Sequence, residues 1–157
     1  MKKVILVYVG LIVAFILLAV LGFGKNLPSL LPFGENAEAE INGKKVELIV
    51  AKTDEDRIMG LSGKESLPKD QGMLFVFEEK GKYSFWMKEM KFPIDIIYIN
   101  DDTVVHIVKN AIPPKNLSII PERYAPAEPV NYVLELNAGK AEELNIEKGS
   151  KITLSGL

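Results

Sequence analysis

Apolar and polar positions divide this chain into two unlike parts. From Val4 to Gly24 runs an uncharged stretch of 21 residues, built mostly of Val, Ile, Leu and Phe. As a helix rising 1.5 Å per residue, such a run spans a hydrocarbon core of ~30 Å. From residue 37 onward the apolar runs are short and bounded by Gly, Pro, Asn and Asp, which is the signature of strands joined by turns.

Within that second part, residues 37–51 predict two strands about an Asn42-Gly43 turn, a strong short hairpin signal. Thr53 is placed to cap a short helix, with Asp54, Glu55 and Asp56 favouring its N-terminal dipole and Gly60 and Gly63 ending it. Strands are expected at Met73–Phe77, Tyr83–Met87, Ile94–Ile99, Thr103–Val108, Val130–Leu136 and Lys151–Leu154. Residues 138–144 predict a second short helix. The five prolines of Pro113–Pro129 mark a surface excursion. The expected fold is mainly β (a β-rich α+β domain): a small barrel or sandwich of about seven or eight short strands with two short helices, preceded by one transmembrane helix.

Composition sharpens the topology. Of 19 basic residues only Lys2, Lys3 and Lys25 precede Glu35, whereas all 21 acidic residues lie at or after it, so the folded part carries a formal charge of −5. That balance argues against general nucleic-acid binding, which calls for a basic surface. Lys2 and Lys3 keep the N-terminus cytoplasmic and send the domain outside the cytoplasm. The run is longer than the core of a cleaved signal, and Gly22/Gly24 is a weak cleavage site, so a retained anchor is the preferred reading. The organisation is then an anchor at 1–25, a Pro/Gly tether at 26–36 and a β-rich domain at 37–157, localised to the cell membrane. Having no cysteine, the chain offers no thiol chemistry, disulfide or thiolate-bound metal.

Several segments carry a family resemblance. They are Arg57 with Gly60-Leu61, then Gly72-Met73-Leu74-Phe75-Val76-Phe77, Phe85-Trp86-Met87-Lys88 and Pro93-Ile94-Asp95-Ile96, then Val133-Leu134-Glu135-Leu136 with Ala138-Gly139, and Gly149. In this order they resemble the domain of unknown function 192 family of prokaryotic envelope and membrane-associated proteins, from about Ile41 to Leu154. Ser62-Gly63 and Glu89-Met90 depart from the family pattern, which has Met-aromatic-Arg and Asn-Thr there. The resemblance implies a compact mainly β fold behind a signal or anchor, and no established activity.

Five residues stand out chemically: Arg57, Trp86, Lys88, Asp95 and Glu135. Each is polar or amphipathic and sits in or beside an apolar stretch. Asp95 and Glu135 must find partners or stay solvated, and Arg57 is one of two arginines, with a fork suited to a carboxylate. One reading pairs Arg57 with Asp95 or Glu135 as a buried bridge that locks the helix to the sheet. The other arranges all five around a cleft for a small polar ligand such as a sugar, with Trp86 at its edge and partly accessible. His106, the single histidine, reads as a sheet-face residue, and Asn100-Asp101-Asp102 as a solvated turn rather than a calcium site. Met73 and Met87 read as core. No cofactor, metal or catalytic residue is expected. The function expected is a membrane-tethered binding module rather than an enzyme. An envelope protein as partner is the alternative, and a glycoside hydrolase using two carboxylates a distant third.

Overall fold

The computed structural model describes residues 37–115 and 122–157. The anchor and tether expected at residues 1–36 lie outside this set. Among the described residues no helix is long and apolar enough to cross a membrane.

The domain is mainly β. Among the described residues nine strands form: β1 (Glu38–Ile41), β2 (Lys44–Ala51), β3 (Gln71–Gly81), β4 (Phe85–Trp86), β5 (Ile94–Asn100), β6 (Thr103–Ala111), β7 (Arg123–Tyr124), β8 (Val130–Asn137) and β9 (Ile152–Ser155). Two short helices, α1 (Asp54–Met59) and α2 (Lys140–Glu143), complete it. Seven strands make one sheet in the order β6-β5-β8-β3-β2-β1-β9, while β4 and β7 pair separately. The β1–β2 turn carries Asn42 and Gly43 at φ 49° and 76°, the left-handed pair that a tight hairpin demands.

Every neighbour in the large sheet is antiparallel except β2 and β3, which run parallel with Ala51 opposite Phe75. A parallel pair needs a crossover, and this one carries α1. Thr53 caps that helix by accepting from the Asp56 amide at 3.1 Å, and Gly60 ends it at φ 50°. The sheet curls into a half-barrel rather than splitting into two stacked layers. Its edges meet at one end, where the Val104 amide donates to the Ser150 carbonyl at 2.9 Å and the Ile152 amide to the Asp102 carbonyl at 2.8 Å.

Both faces of the central strands are covered. Inside the curl, Ile97, Ile99, Leu134 and Leu136 pack with Ala141, Leu144 and Ile146 from around α2. On the outer face, Phe75, Ile96, Tyr98 and Val133 pack with Leu61, which follows α1, and Met87, which follows β4. Ile94–Ile99 is therefore buried throughout, and its continuous apolar run has a physical reason. Met73 and Met87 are core, as expected.

Candidate functional site

The turn ending α1 brings the crossover back over the outer face of the sheet, and a cleft of about 330 Å³ opens between them. Its walls come from α1 and the turn after it, from Phe75 and Phe77 of β3, and from the segment Tyr83–Trp86. Glu135 of β8 also lines it. Gly60 matters here beyond its positive φ: a Cβ would come within 3.3 Å of the Phe75 ring, so the helix end sits close against the cleft wall.

Arg57 faces this cleft, though not through the bridge expected from the sequence. Its Nη2 donates to Asp54 Oδ1 at 2.6 Å. Its Nη1 donates to the Val76 carbonyl at 2.9 Å and to the Lys52 carbonyl. The guanidinium lies 5.4 Å from the Phe77 ring centroid. Arg57 thus clips α1 to the parallel pair through backbone carbonyls, and neither Asp95 nor Glu135 is its partner. The reason is local: Asp54 lies one turn before it, within easy reach on the same helix.

Asp95 and Glu135 do not meet either. Asp95 is opposite Leu136 and Ile96 is opposite Glu135, so adjacent strands send the two carboxyl groups to opposite faces. Asp95 is fully buried toward the inner core, accepting from the Asn110 amide at 2.8 Å and the Ala141 amide at 2.9 Å. It ties the start of α2 to the sheet. The five candidates are thus divided: Arg57, Trp86 and Glu135 line the cleft, Lys88 stands at its edge beside Trp86, and Asp95 belongs to the other face. A pair of carboxylates flanking one substrate, which glycoside hydrolysis would need, does not form from Asp95 and Glu135.

Trp86 is 44 % exposed and lines the cleft, as the polar neighbours Ser84 and Lys88 suggested. Its ring is not a bare wall. Arg123, directly across the β4–β7 pair, places its guanidinium 4.3 Å from the ring centroid, and Lys88 Nζ lies 5.8 Å away. Sequence reasoning missed Arg123. Its signal was available, since the chain has seventeen lysines and only two arginines; Arg57 lines the cleft and Arg123 covers Trp86, which lines it too. Asp54, legible in the sequence only as a helix-dipole residue, joins the cleft because the crossover lays its helix over the sheet.

Glu135 is the most unusual group in the site. It is only 6 % exposed, and its Oε2 has no hydrogen-bond partner among the described residues. Burial without a partner pushes its carboxyl up to about 8, so at neutral pH it is mostly the uncharged acid. Nearby Tyr98 is also raised, by burial first and then by Glu135, and donates its hydroxyl to the Tyr124 carbonyl at 2.7 Å. The cleft therefore combines aromatic walls, the Arg57 guanidinium and one neutral carboxylic acid, with Arg123 beside it over Trp86.

The remaining motifs behave as ordinary structure. His106 is exposed on the edge strand β6, its ring 5.6 Å from Tyr98. Asp101 pairs with Lys80 and Asp102 with Lys151, each at 2.7 Å, so the turn between β5 and β6 is a solvated, ion-paired surface.

The chain belongs to the DUF192 family, described as Uncharacterized ACR, whose pattern matches residues 37–154. A Sinorhizobium meliloti protein of known crystal structure, named as a candidate transcription regulator, is 30% identical with a TM-score of 0.68; the match covers 79% of this chain and 98% of that one. A protein of unknown function from Novosphingobium aromaticivorans is 26% identical with a TM-score of 0.66, over 82% of this chain and 94% of that one. Among curated proteins none matches.

Proposed function

We propose that this DUF192 domain is a binding module, held outside the cytoplasm by an N-terminal membrane anchor, whose site is the cleft between α1 and the outer face of the sheet. In this arrangement one transmembrane helix precedes a small barrel. One observation carries the binding function: Glu135, whose buried carboxyl has an unpartnered oxygen, lines a solvent-reaching cleft. Leaving such a group unpaired costs ~1–3 kcal/mol, a cost that a ligand's hydrogen bond would remove. A volume of about 330 Å³ falls at the small end of ligand sites, which span ~300–1,000 Å³. The long uncharged run at Val4–Gly24, with Lys2 and Lys3 before it, supports the anchor and its orientation.

A second reading has its own support. Ile58 and Met59, which line the mouth of the cleft, are 82 % and 65 % exposed. Exposed apolar side chains rimmed by charge suit a protein partner in the envelope. Regulation of transcription, the role suggested for the Sinorhizobium relative, finds little support in a domain of net charge −5.

The deciding experiment is a thermal-shift screen of the full-length chain against sugars, nucleotides and cell-wall fragments. A ligand at 100 times its dissociation constant adds ~2.7 kcal/mol of stability. The shift should vanish in Trp86→Ala and Glu135→Leu if the cleft is the site. A hit that survives both substitutions would move the site elsewhere. Degradation of the domain by protease added to intact spheroplasts is expected from the proposed orientation, and protection would refute it.

A further inference from the structure

The cleft is charged in a way that selects among ligands. Of the chain's two arginines, Arg57 of α1 lines it and Arg123 of β7 lies over Trp86 beside it, in a domain that is otherwise acidic. Two of the cleft's aromatic rings, Phe77 and Trp86, already carry the chain's own cations. Arg57 lies over Phe77, whose ring also stacks on Tyr83 at 3.5 Å, and Arg123 lies over Trp86. An ammonium ligand would have to displace them. Among the described residues lining the cleft, the acidic groups are Asp54, which is already paired with Arg57, and Glu135.

We propose that the cleft takes a small organic anion, a carboxylate or phosphate on an apolar body, with an anionic oxygen accepting a hydrogen bond from Glu135. This rests on reading the cleft as a ligand site. The protonated carboxyl supplies the O–H that such an oxygen needs, and an uncharged Glu135 does not repel an anion. Arg123, over Trp86 beside the cleft, offsets the incoming charge, Arg57 being matched by Asp54. Ile58 and Met59, exposed at the rim, give the apolar body a surface to cover. The titratable or charged groups facing Glu135 are Tyr98 from β5, Tyr83 from the β3–β4 connection, and Asp54 and Arg57 from α1. With Asp54 and Arg57 joined as a pair and Tyr98 raised, Glu135 is the group in the cleft that changes charge near pH 8.

The test is a fluorescence titration of the full-length chain through Trp86, the single tryptophan. Three probes of one shape are used, 3-phenylpropionate, 3-phenylpropionamide and 3-phenylpropylammonium, with phenyl phosphate to separate the two kinds of anion. At pH 7 at least one anion should bind on the order of tenfold more tightly than the amide or the amine. Above pH 8 its affinity should fall about tenfold per pH unit as Glu135 loses its proton. Glu135→Gln should retain binding but lose that pH dependence. Arg123→Ala, at an exposed position that leaves the fold intact, should weaken the anions at every pH while leaving the amide unchanged. Tighter binding of the amine, strengthening with pH, would overturn the proposal while leaving the cleft a ligand site. If no probe of any charge perturbs Trp86 at millimolar concentration, the proposal and the ligand-site reading fall together.

Discussion

Arg123 and Trp86 face each other across the two-residue pair β4–β7, with the guanidinium 4.3 Å from the centroid of the indole ring. A cation over an exposed ring contributes ~0.5–1 kcal/mol, so Arg123→Ala should barely move the melting temperature. It should nevertheless uncover the indole. Trp86 emission is expected to shift to the red and acrylamide quenching to rise. Unchanged quenching would mean that the two side chains do not stack in solution.

Asp95 predicts a different phenotype, stability without binding. Both of its carboxyl oxygens accept backbone amides, from Asn110 and Ala141. Asp95→Ala strands the buried Ala141 amide and the half-buried Asn110 amide, and a buried unpaired donor costs ~1–3 kcal/mol. Urea denaturation should show a loss of about 2–5 kcal/mol, with Asp95→Asn losing less because one acceptor survives. Probe binding in the cleft, on the other face of the sheet, should not change at temperatures where the variant remains folded. A loss below about 1 kcal/mol would show that these amides find acceptors elsewhere.

The contrast between Asp95 and Glu135 shows how far the sequence reaches. Alternation along each strand placed Asp95 with Ile97 and Ile99, and Glu135 with Val133, and both placements hold. Which face one strand shares with its neighbour depends on register, and a shift of one residue reverses it. Nothing local to either segment encodes that Ile96, rather than Asp95, stands opposite Glu135. The Asn42-Gly43 hairpin and the Thr53 cap were legible because their causes lie within a few residues. β4 is shorter than the expected Tyr83–Met87 strand, and β7 lies inside the proline-rich stretch. Each exists only by pairing with the other, a tertiary fact. In the same way β3 continues through Glu78–Gly81, beyond the end expected at Phe77, and Gly81 pairs with Val130.

Arg57 tests the clip that replaces the expected buried bridge. Truncation removes donors from the Lys52 and Val76 carbonyls but strands no buried charge, because its ionic partner Asp54 is exposed. Arg57→Ala should therefore cost about 1–3 kcal/mol in chemical denaturation, below the ~3–5 kcal/mol of breaking a buried pair. Arg57→Lys should restore part of this, since an ammonium reaches one carbonyl but lacks the planar fork. Loss of the full larger amount would point to a carboxylate partner deeper in the fold.

Glu135 predicts how stability responds to pH. Its folded-state carboxyl is raised by burial from the ordinary 4.5 to about 8. Below the lower value the folded and unfolded chains both hold the proton. Between the two, the unfolded chain has released it and the folded chain has not, so the folded state binds more protons and this group's stabilisation declines as pH rises. Above about 8 both forms have lost it and its contribution is level. The slope in the window is at most about 1.4 kcal/mol per pH unit. Glu135→Gln has nothing to titrate there, while every other titrating group is common to both proteins. The melting temperature of the variant minus that of the native chain should therefore grow between pH 5 and pH 8 and flatten above. A constant difference across that window would mean that Glu135 is already ionised in the folded state. The acid that donates to a bound anion would then not exist, and the selectivity of the cleft would have to come from Arg123 alone.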